Sequence, residues 1–315
     1  MNFVEKSVSI EPMTNKTVYI FPGQGSQFIG MGADLARDFA EAKDVFSEID
    51  EALHQNLSAL MFSGELAELT QTQNAQPAIM AVSMAVWRVL QANSAVNVDA
   101  VAGHSLGEYS ALCAADVLSL SETAQLLQAR GQAMARACNQ QKGGMLALLG
   151  ATVEQAAEIA KASDCYVAND NAPGQIVLSG VLSNLEKAKE LAEKMVIKRA
   201  IPLSVAGAFH SPLMQSAADE MAPVLAKVKF AEPKIPVFFN VTANIDADPM
   251  HYADLLTRQI TAPVRWRELI ENTNATRFVE CGPGNVLCGL VRRIVPEAEN
   301  VALGTTESIK SFPGK

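Results

Sequence analysis

Ser105 stands in Gly103-His104-Ser105-Leu106-Gly107, a match to Gly-x-Ser-x-Gly. In that pattern a serine occupies a strained strand-to-helix corner, and small residues on either side let the backbone pack closely. The flanks agree: Val98–Gly103 reads as a short apolar strand and the Ala- and Leu-rich stretch to Ala115 as a helix. The competing reading is a chance match in a glycine-rich turn, which this context disfavours. A seryl nucleophile needs a base, and histidine is the usual one. The chain has four His. His54 and His251 lie in polar surroundings expected at the surface. His104 flanks the serine, on a corner that would point it inward into a structural role. His210 comes later, after Ala208-Phe209, and position alone leaves it a candidate without deciding the matter. Arg130, in Gln-Ala-Arg-Gly, is by itself only an arginine on a helix.

A second loop could meet a ligand. Thr17–Phe21 is an apolar strand running into Pro22-Gly23-Gln24-Gly25-Ser26-Gln27. A dinucleotide fingerprint needs a third glycine where Phe28 stands, and a phosphate-binding P-loop needs Gly-Lys-Ser/Thr. Neither is met. What remains is a loop whose backbone N–H groups are free to face something, with Gly23 and Gly25 open to conformations closed to other residues.

The elements that must position these residues follow from periodicity. Asp34–Leu57 has helical spacing, Leu66–Ala75 is polar, and Ala78–Gln91 reads as a buried helix beginning after Gln76-Pro77. Ser121 and Glu122 stand where a helix cap belongs. From Gly143 to Ser204 the pattern becomes strand 145–149, helix 152–162, strand 165–169, turn 171–174, strand 175–179, helix 185–195 and strand 198–203. That β-α-β-β-α-β order is ferredoxin-like and reads as an inserted subdomain, residues 143–204. A large α/β subdomain with a parallel sheet, of α/β-hydrolase-like type, would be built from 17–142 and 205–315. Within it, helices are expected at 213–227, 253–260 and 264–273, the last starting at Pro263. Strands are expected at 235–240, 277–281 and 301–303, with a helix between the last two. Ser…His order also suits an α/β hydrolase, but that fold would not carry such an insert between the two.

Composition bounds the rest. With 315 residues, 49% hydrophobic and 19% charged, the chain can bury a large core. A net charge of −9 argues against non-specific nucleic-acid binding. Five Cys, an odd number without a C-x-x-C pair, read as reduced core residues of a cytoplasmic protein. No apolar run is long and clean enough to span a membrane. Residues 1–16 read as a flexible extension, neither secretory signal nor transit peptide.

Taken together, Phe-Pro-Gly-Gln-Gly-Ser-Gln at 21–27, Gly-His-Ser-Leu-Gly-Glu-Tyr-Ser-Ala-Leu at 103–112, Gln-Ala-Arg-Gly at 128–131, Ala-Phe-His-Ser at 208–211, Arg-Gln-Ile-Thr-Ala-Pro-Val-Arg-Trp at 258–266 and Glu-Cys-Gly-Pro-Gly at 280–284 resemble the malonyl-CoA:acyl carrier protein transacylases, relatives of polyketide acyltransferase domains. The resemblance runs from about Thr17 to Ile294. It implies Ser105 as the nucleophile that becomes malonyl-serine and His210 as base and then acid, oriented by the main-chain carbonyl of Gln259. It implies an oxyanion hole from the backbone N–H groups of Gln24 and Leu106, and Arg130 as the holder of the malonyl carboxylate. That last role also has a physical warrant, since a buried guanidinium binds a carboxylate through two parallel hydrogen bonds that lysine cannot reproduce. Gln76, Asn169, Phe209 and the Gln259 side chain are expected around the pocket. The implied partners are malonyl-CoA and an acyl carrier protein, with no metal or redox cofactor, no nucleic acid and no membrane, the chain acting as a monomer in the cytoplasm. Two departures stand out: the extension is longer than the family needs, and Phe209 precedes the base where some members have serine. The implied activity is ping-pong malonyl transfer supplying fatty acid synthesis. A polyketide acyltransferase acting in trans, a thioester hydrolase with no use for Arg130, and a non-catalytic carrier-docking module are the rivals.

Overall fold

Thr-Val-Tyr-Ile-Phe at 17–21 is apolar at almost every position, a pattern that suits a strand covered on both faces. In the computed structural model, which describes residues 14–93 and 96–312, this stretch lies inside a six-stranded sheet. The strands of the chain are β1 (Thr14–Phe21), β2 (Ala100–Gly103), β3 (Gly143–Leu149), β4 (Tyr166–Ala172), β5 (Gln175–Val181), β6 (Arg199–Pro202), β7 (Val237–Phe239), β8 (Asn244–Ile245), β9 (Ala275–Cys281) and β10 (Glu299–Leu303). The large sheet runs β10-β9-β1-β2-β7-β8, parallel throughout except for the β7–β8 pair. Along β1, Tyr19 and Phe21 face one core, where Trp87 meets their rings edge-on at 5.4 and 6.2 Å. Val18 and Ile20 face a second core around Trp266 and Phe278. Because the strands are parallel, the loops after β1, β2, β7 and β9 all leave from one edge, where open α/β sheets bind ligands.

The second sheet is antiparallel, in the order β4-β5-β3-β6. Helices Val153–Ser163 and Leu182–Lys194 pack Ile159, Leu185, Ala188 and Ala192 against it, completing the ferredoxin-like arrangement. It is joined to the large sheet along β4. Val264 N–H donates to the Ala168 carbonyl at 2.9 Å, and Asp170 N–H donates to the Val264 carbonyl at 3.0 Å. The Arg267 guanidinium reaches the Asp170 carboxylate at 2.8 Å.

Several local expectations need correcting, each for a tertiary reason. The helix placed from Val264 begins at Trp266, because Val264 is extended beside β4. The helix placed from Ala78 begins at Thr72 and carries Pro77 inside it. Gly131 of the facing helix lets that early turn close in: a Cβ there would lie 2.6 Å from the Thr72 carbonyl oxygen. The cap expected at Ser121 belongs to Ser119, which forms a capping box with Glu122, while Ser121 Oγ donates to Glu48. The 34–57 stretch breaks at Phe39 into helices Ala33–Asp38 and Ala40–Leu53. Thr14–Lys16, placed in the extension, belong to β1. The rest of that extension lies outside the described residues. All five Cys are buried and unpaired.

Candidate active site

The corner after β2 is built by close approach. A Cβ on Gly107 would lie 2.2 Å from the Phe21 carbonyl oxygen, so only glycine lets the helix Gly107–Ala114 start against the end of β1. The chain pivots at Ser105, with φ 55°, a left-handed backbone rare for a side-chain-bearing residue. Gly23, in the loop after β1, has its own reason: a Cβ there would lie 2.8 Å from the His104 carbonyl oxygen. Its need is contact rather than an unusual φ, whereas Gly25 does take φ 104°. The glycine-rich loop is thereby pressed against the serine corner.

Ser105 Oγ lies 2.8 Å from His210 Nε2. His210 Nδ1 lies 2.9 Å from the main-chain carbonyl of Gln259. A carbonyl only accepts, so Nδ1 carries the proton and Nε2 is left to accept from the serine. His210 is itself at φ 55°. Burial, and then the nearby Arg130 cation, hold its pKa down to about 3, so the imidazole is neutral at pH 7.

Arg130 is buried beside this pair. Its Nη1 donates to Gln76 Oε1 at 2.8 Å, and its Nη2 donates to Gln259 Oε1 at 2.8 Å and to Ser105 Oγ at 3.2 Å. All three partners are neutral. The neighbouring carboxyl is Glu108, which burial pushes up to about 8, so near neutral pH it offers little counter-charge. A buried cation held only by neutral acceptors is a ready site for an anion.

The cavity above these groups measures about 150 Å³ and is lined by Gln24, Ser105, Arg130, Asn169, Phe209 and His210, among others. Leu106 is buried, and its backbone N–H and that of Gln24 have no hydrogen-bond partner among the described residues. Two expected pocket residues stand further back. Gln76 and Gln259 are fully buried and do not line the cavity. Gln76 holds Arg130. Gln259 also holds the serine corner, since its Nε2 donates to the Ser105 carbonyl at 3.0 Å. His104, expected to point inward, lies along the cavity wall, with Nε2 at 2.9 Å from Asn171 Oδ1 on β4. His54 and His251 are exposed. Asn171, Glu108 and Asn240 were not singled out from sequence. The position of Asn240 at the C-terminal end of the expected strand 235–240 was the available signal.

The model of the acyl transferase domain family matches residues 18–306. The chain belongs to that family. It is 41% identical over 304 residues to the malonyl CoA-acyl carrier protein transacylase of Bacillus subtilis (strain 168), covering 94% of this chain and 96% of that one. The acyl-carrier-protein-S-malonyltransferase structure from Bartonella henselae superposes with a TM-score of 0.91 at 45% identity, over 94% of this chain and 98% of the other. A malonyl-transacylase solved in complex with a type II polyketide acyl-carrier protein gives a TM-score of 0.90 at 37% identity, over 94% and 98% of the two chains. In this acyl transferase domain no helix among the described residues is long and apolar enough to cross a membrane.

Proposed function

We propose that the chain is an [acyl-carrier-protein] S-malonyltransferase, moving malonyl from malonyl-CoA to the phosphopantetheine thiol of an acyl carrier protein. His210 Nε2 takes the Ser105 proton as Oγ attacks the thioester carbonyl. The Gln24 and Leu106 N–H groups receive the oxyanion, a contribution of about 2.7–4 kcal/mol per donor in sites of this kind. The imidazolium returns its proton to the departing CoA thiol, leaving malonyl-Ser105. The carrier's thiol then enters, His210 takes its proton, and the steps reverse. The reaction in this reading uses no metal or redox cofactor and takes place in the cytoplasm. Phe209 and Asn169 border the acyl group, and Gln76 and Gln259 hold Arg130 from behind.

The observation that carries this reading is Arg130, a buried cation on neutral partners with Nη2 3.2 Å from the nucleophile. A hydrolase of simple acyl esters has no use for it, whereas malonyl brings a carboxylate. Intact-mass analysis after mixing with malonyl-CoA or acetyl-CoA tests it. Ser105→Ala is expected to form no acyl-enzyme. Arg130→Ala is expected to lose malonyl transfer while keeping or gaining acetyl transfer. Equal falls in both rates would make Arg130 structural and sink the carboxylate clamp.

A polyketide carrier in place of a fatty-acid carrier is the second reading, favoured by the likeness to a transacylase solved with such a partner. Comparing transfer rates to the two kinds of carrier separates them.

A further inference from the structure

Resting on Ser105 as the nucleophile, we propose that Asn240 is a positioning residue that holds the serine corner in its reactive backbone shape, and that Glu108 fixes Asn240. Ser105 at φ 55° occupies a conformation that persists only where its surroundings over-determine it. The Asn240 side chain supplies that constraint from both sides of the corner. Its Oδ1 accepts the Ser105 N–H at 2.8 Å, and its Nδ2 donates to the Gly103 carbonyl at 2.7 Å. One rigid amide thus spans the turn from the last residue of β2 to the nucleophile.

Asn240 is placed by the sheet. It follows β7, which pairs with β2 through Val101–Val237 and Ala102–Phe238. Its own backbone is tied as well. The Asn240 N–H donates to Glu108 Oε2 at 2.6 Å, and its carbonyl accepts the Arg265 N–H at 3.3 Å. Glu108 sits in the first turn of the helix that begins at the corner, so the contact closes a loop: corner, helix, Glu108, Asn240, corner.

The consequence reaches the oxyanion site. The Ser105 carbonyl accepts from Gln259 Nε2 and from the Glu108 N–H, both at 3.0 Å. A trans peptide aims its N–H opposite its carbonyl, so these bonds turn the Leu106 N–H away from Gln259. Asn240 engages the Ser105 N–H, which fixes the other side of the same residue and leaves Leu106 as the donor of the corner. Asn240 and Glu108 are fully buried and do not line the cavity, so neither can touch substrate. Their loss therefore acts on the chemical step and not on substrate capture.

The test is the single-turnover rate of malonyl-Ser105 formation, followed by mass spectrometry across malonyl-CoA concentrations, with thermal melts in parallel. Asn240→Ala is expected to lower the saturating rate about 10- to 100-fold, the scale of a displaced reacting group. The half-saturating concentration should stay within about twofold, and the malonyl-to-acetyl preference should not move. Glu108→Ala should fall in the same way, and Glu108→Gln, which keeps an acceptor for the Asn240 N–H, should recover most of the loss. The proposal is overturned by an Asn240→Ala saturating rate within about twofold of wild type, or by a loss expressed in half-saturation. It is also overturned if Glu108→Gln is as slow as Glu108→Ala, the comparison that decides should Asn240→Ala not fold. Absence of a malonyl adduct on Ser105 in the wild type would instead remove the nucleophile reading on which this rests.

Discussion

His210 reaches Ser105 as a neutral imidazole because burial and the Arg130 cation both oppose its protonation. Its proton uptake lies near pH 3, against an ordinary value of 6.5. The rate of acylation by malonyl-CoA should therefore stay flat from pH 7 down to about pH 5 and show no limb near 6.5. A stopped-flow pH profile with an acid limb centred at 6–7 would show that the base is not held this way. The sign for stability runs in parallel. Between 6.5 and 3 the unfolded chain binds more protons at this residue, so His210 makes the fold less stable as pH falls through that window. Phe209 is the other residue whose identity has a measurable consequence. Its ring is nearly buried and borders the cavity beside the base. It is expected to exclude acyl groups branched at the second carbon. One methyl group in a pocket is worth about 1–3 kcal/mol, so Phe209→Ser should narrow the preference for malonyl-CoA over methylmalonyl-CoA without reversing it. The ratio of the two acyl-enzymes in a competition experiment measures this, and an unchanged ratio assigns the choice to another wall.

Among the elements, the helices either side of the site carry different burdens. The one beginning at Gly107 is packed on the end of β1 so tightly that a Cβ would meet the Phe21 carbonyl oxygen at 2.2 Å. Gly107→Ala should cost about 3 kcal/mol in denaturant unfolding and also abolish acylation, because the corner and the glycine-rich loop must separate. The helix Leu120–Gln140, which carries Arg130, starts far from the cavity at the Ser119–Glu122 capping box. Ser119→Ala should cost about 1 kcal/mol and leave the acylation rate of the folded protein unchanged. A matching loss of rate in the two variants would mean that helix stability, not the shape of the corner, limits the chemistry.

On the scale of the molecule, the cavity opens where the two sheets meet. Met145, Leu203 and Val205 line both the serine cavity and an adjoining groove, and Lys189 stands in that groove. Of the basic residues on the smaller sheet's outer helix and strand, Lys189 is thus placed beside the path to Ser105. Of the two arginines on the last long helix, Arg293 is occupied with Gln175 and the Pro173 carbonyl, and Arg292 is exposed. An acyl carrier protein is expected to dock at this groove with Lys189 as its cationic contact, despite Glu186 beside it and the chain's net charge of −9. Lys189→Glu should raise the Michaelis constant for the carrier about 3- to 10-fold and spare that for malonyl-CoA. If the carrier step shows no dependence on salt or on this charge, docking lies elsewhere.

What was legible in the sequence was short-range. The serine corner could be read at 103–107 because close backbone approach demands glycines at fixed offsets, and the sixty-odd residues after Gly143 showed their β-α-β-β-α-β order through hydrophobic period and the turn residues at 171–174. His210, Arg130 and the Gln259 carbonyl came from the resemblance, since nothing in spacing links residues so far apart. The tertiary structure decided the rest. It drew Val264 out of a helix to pair with β4, let Gly131 admit a helix start ahead of Pro77, and set Gln76 and Gln259 behind Arg130 instead of along the cavity. It also brought Asn240 beside Ser105, an arrangement that exists only because β7 and β2 are neighbours in the sheet. Buried hydrogen-bond partners are chosen by which strands pair and which helices cover them, and local residue patterns carry no record of that choice.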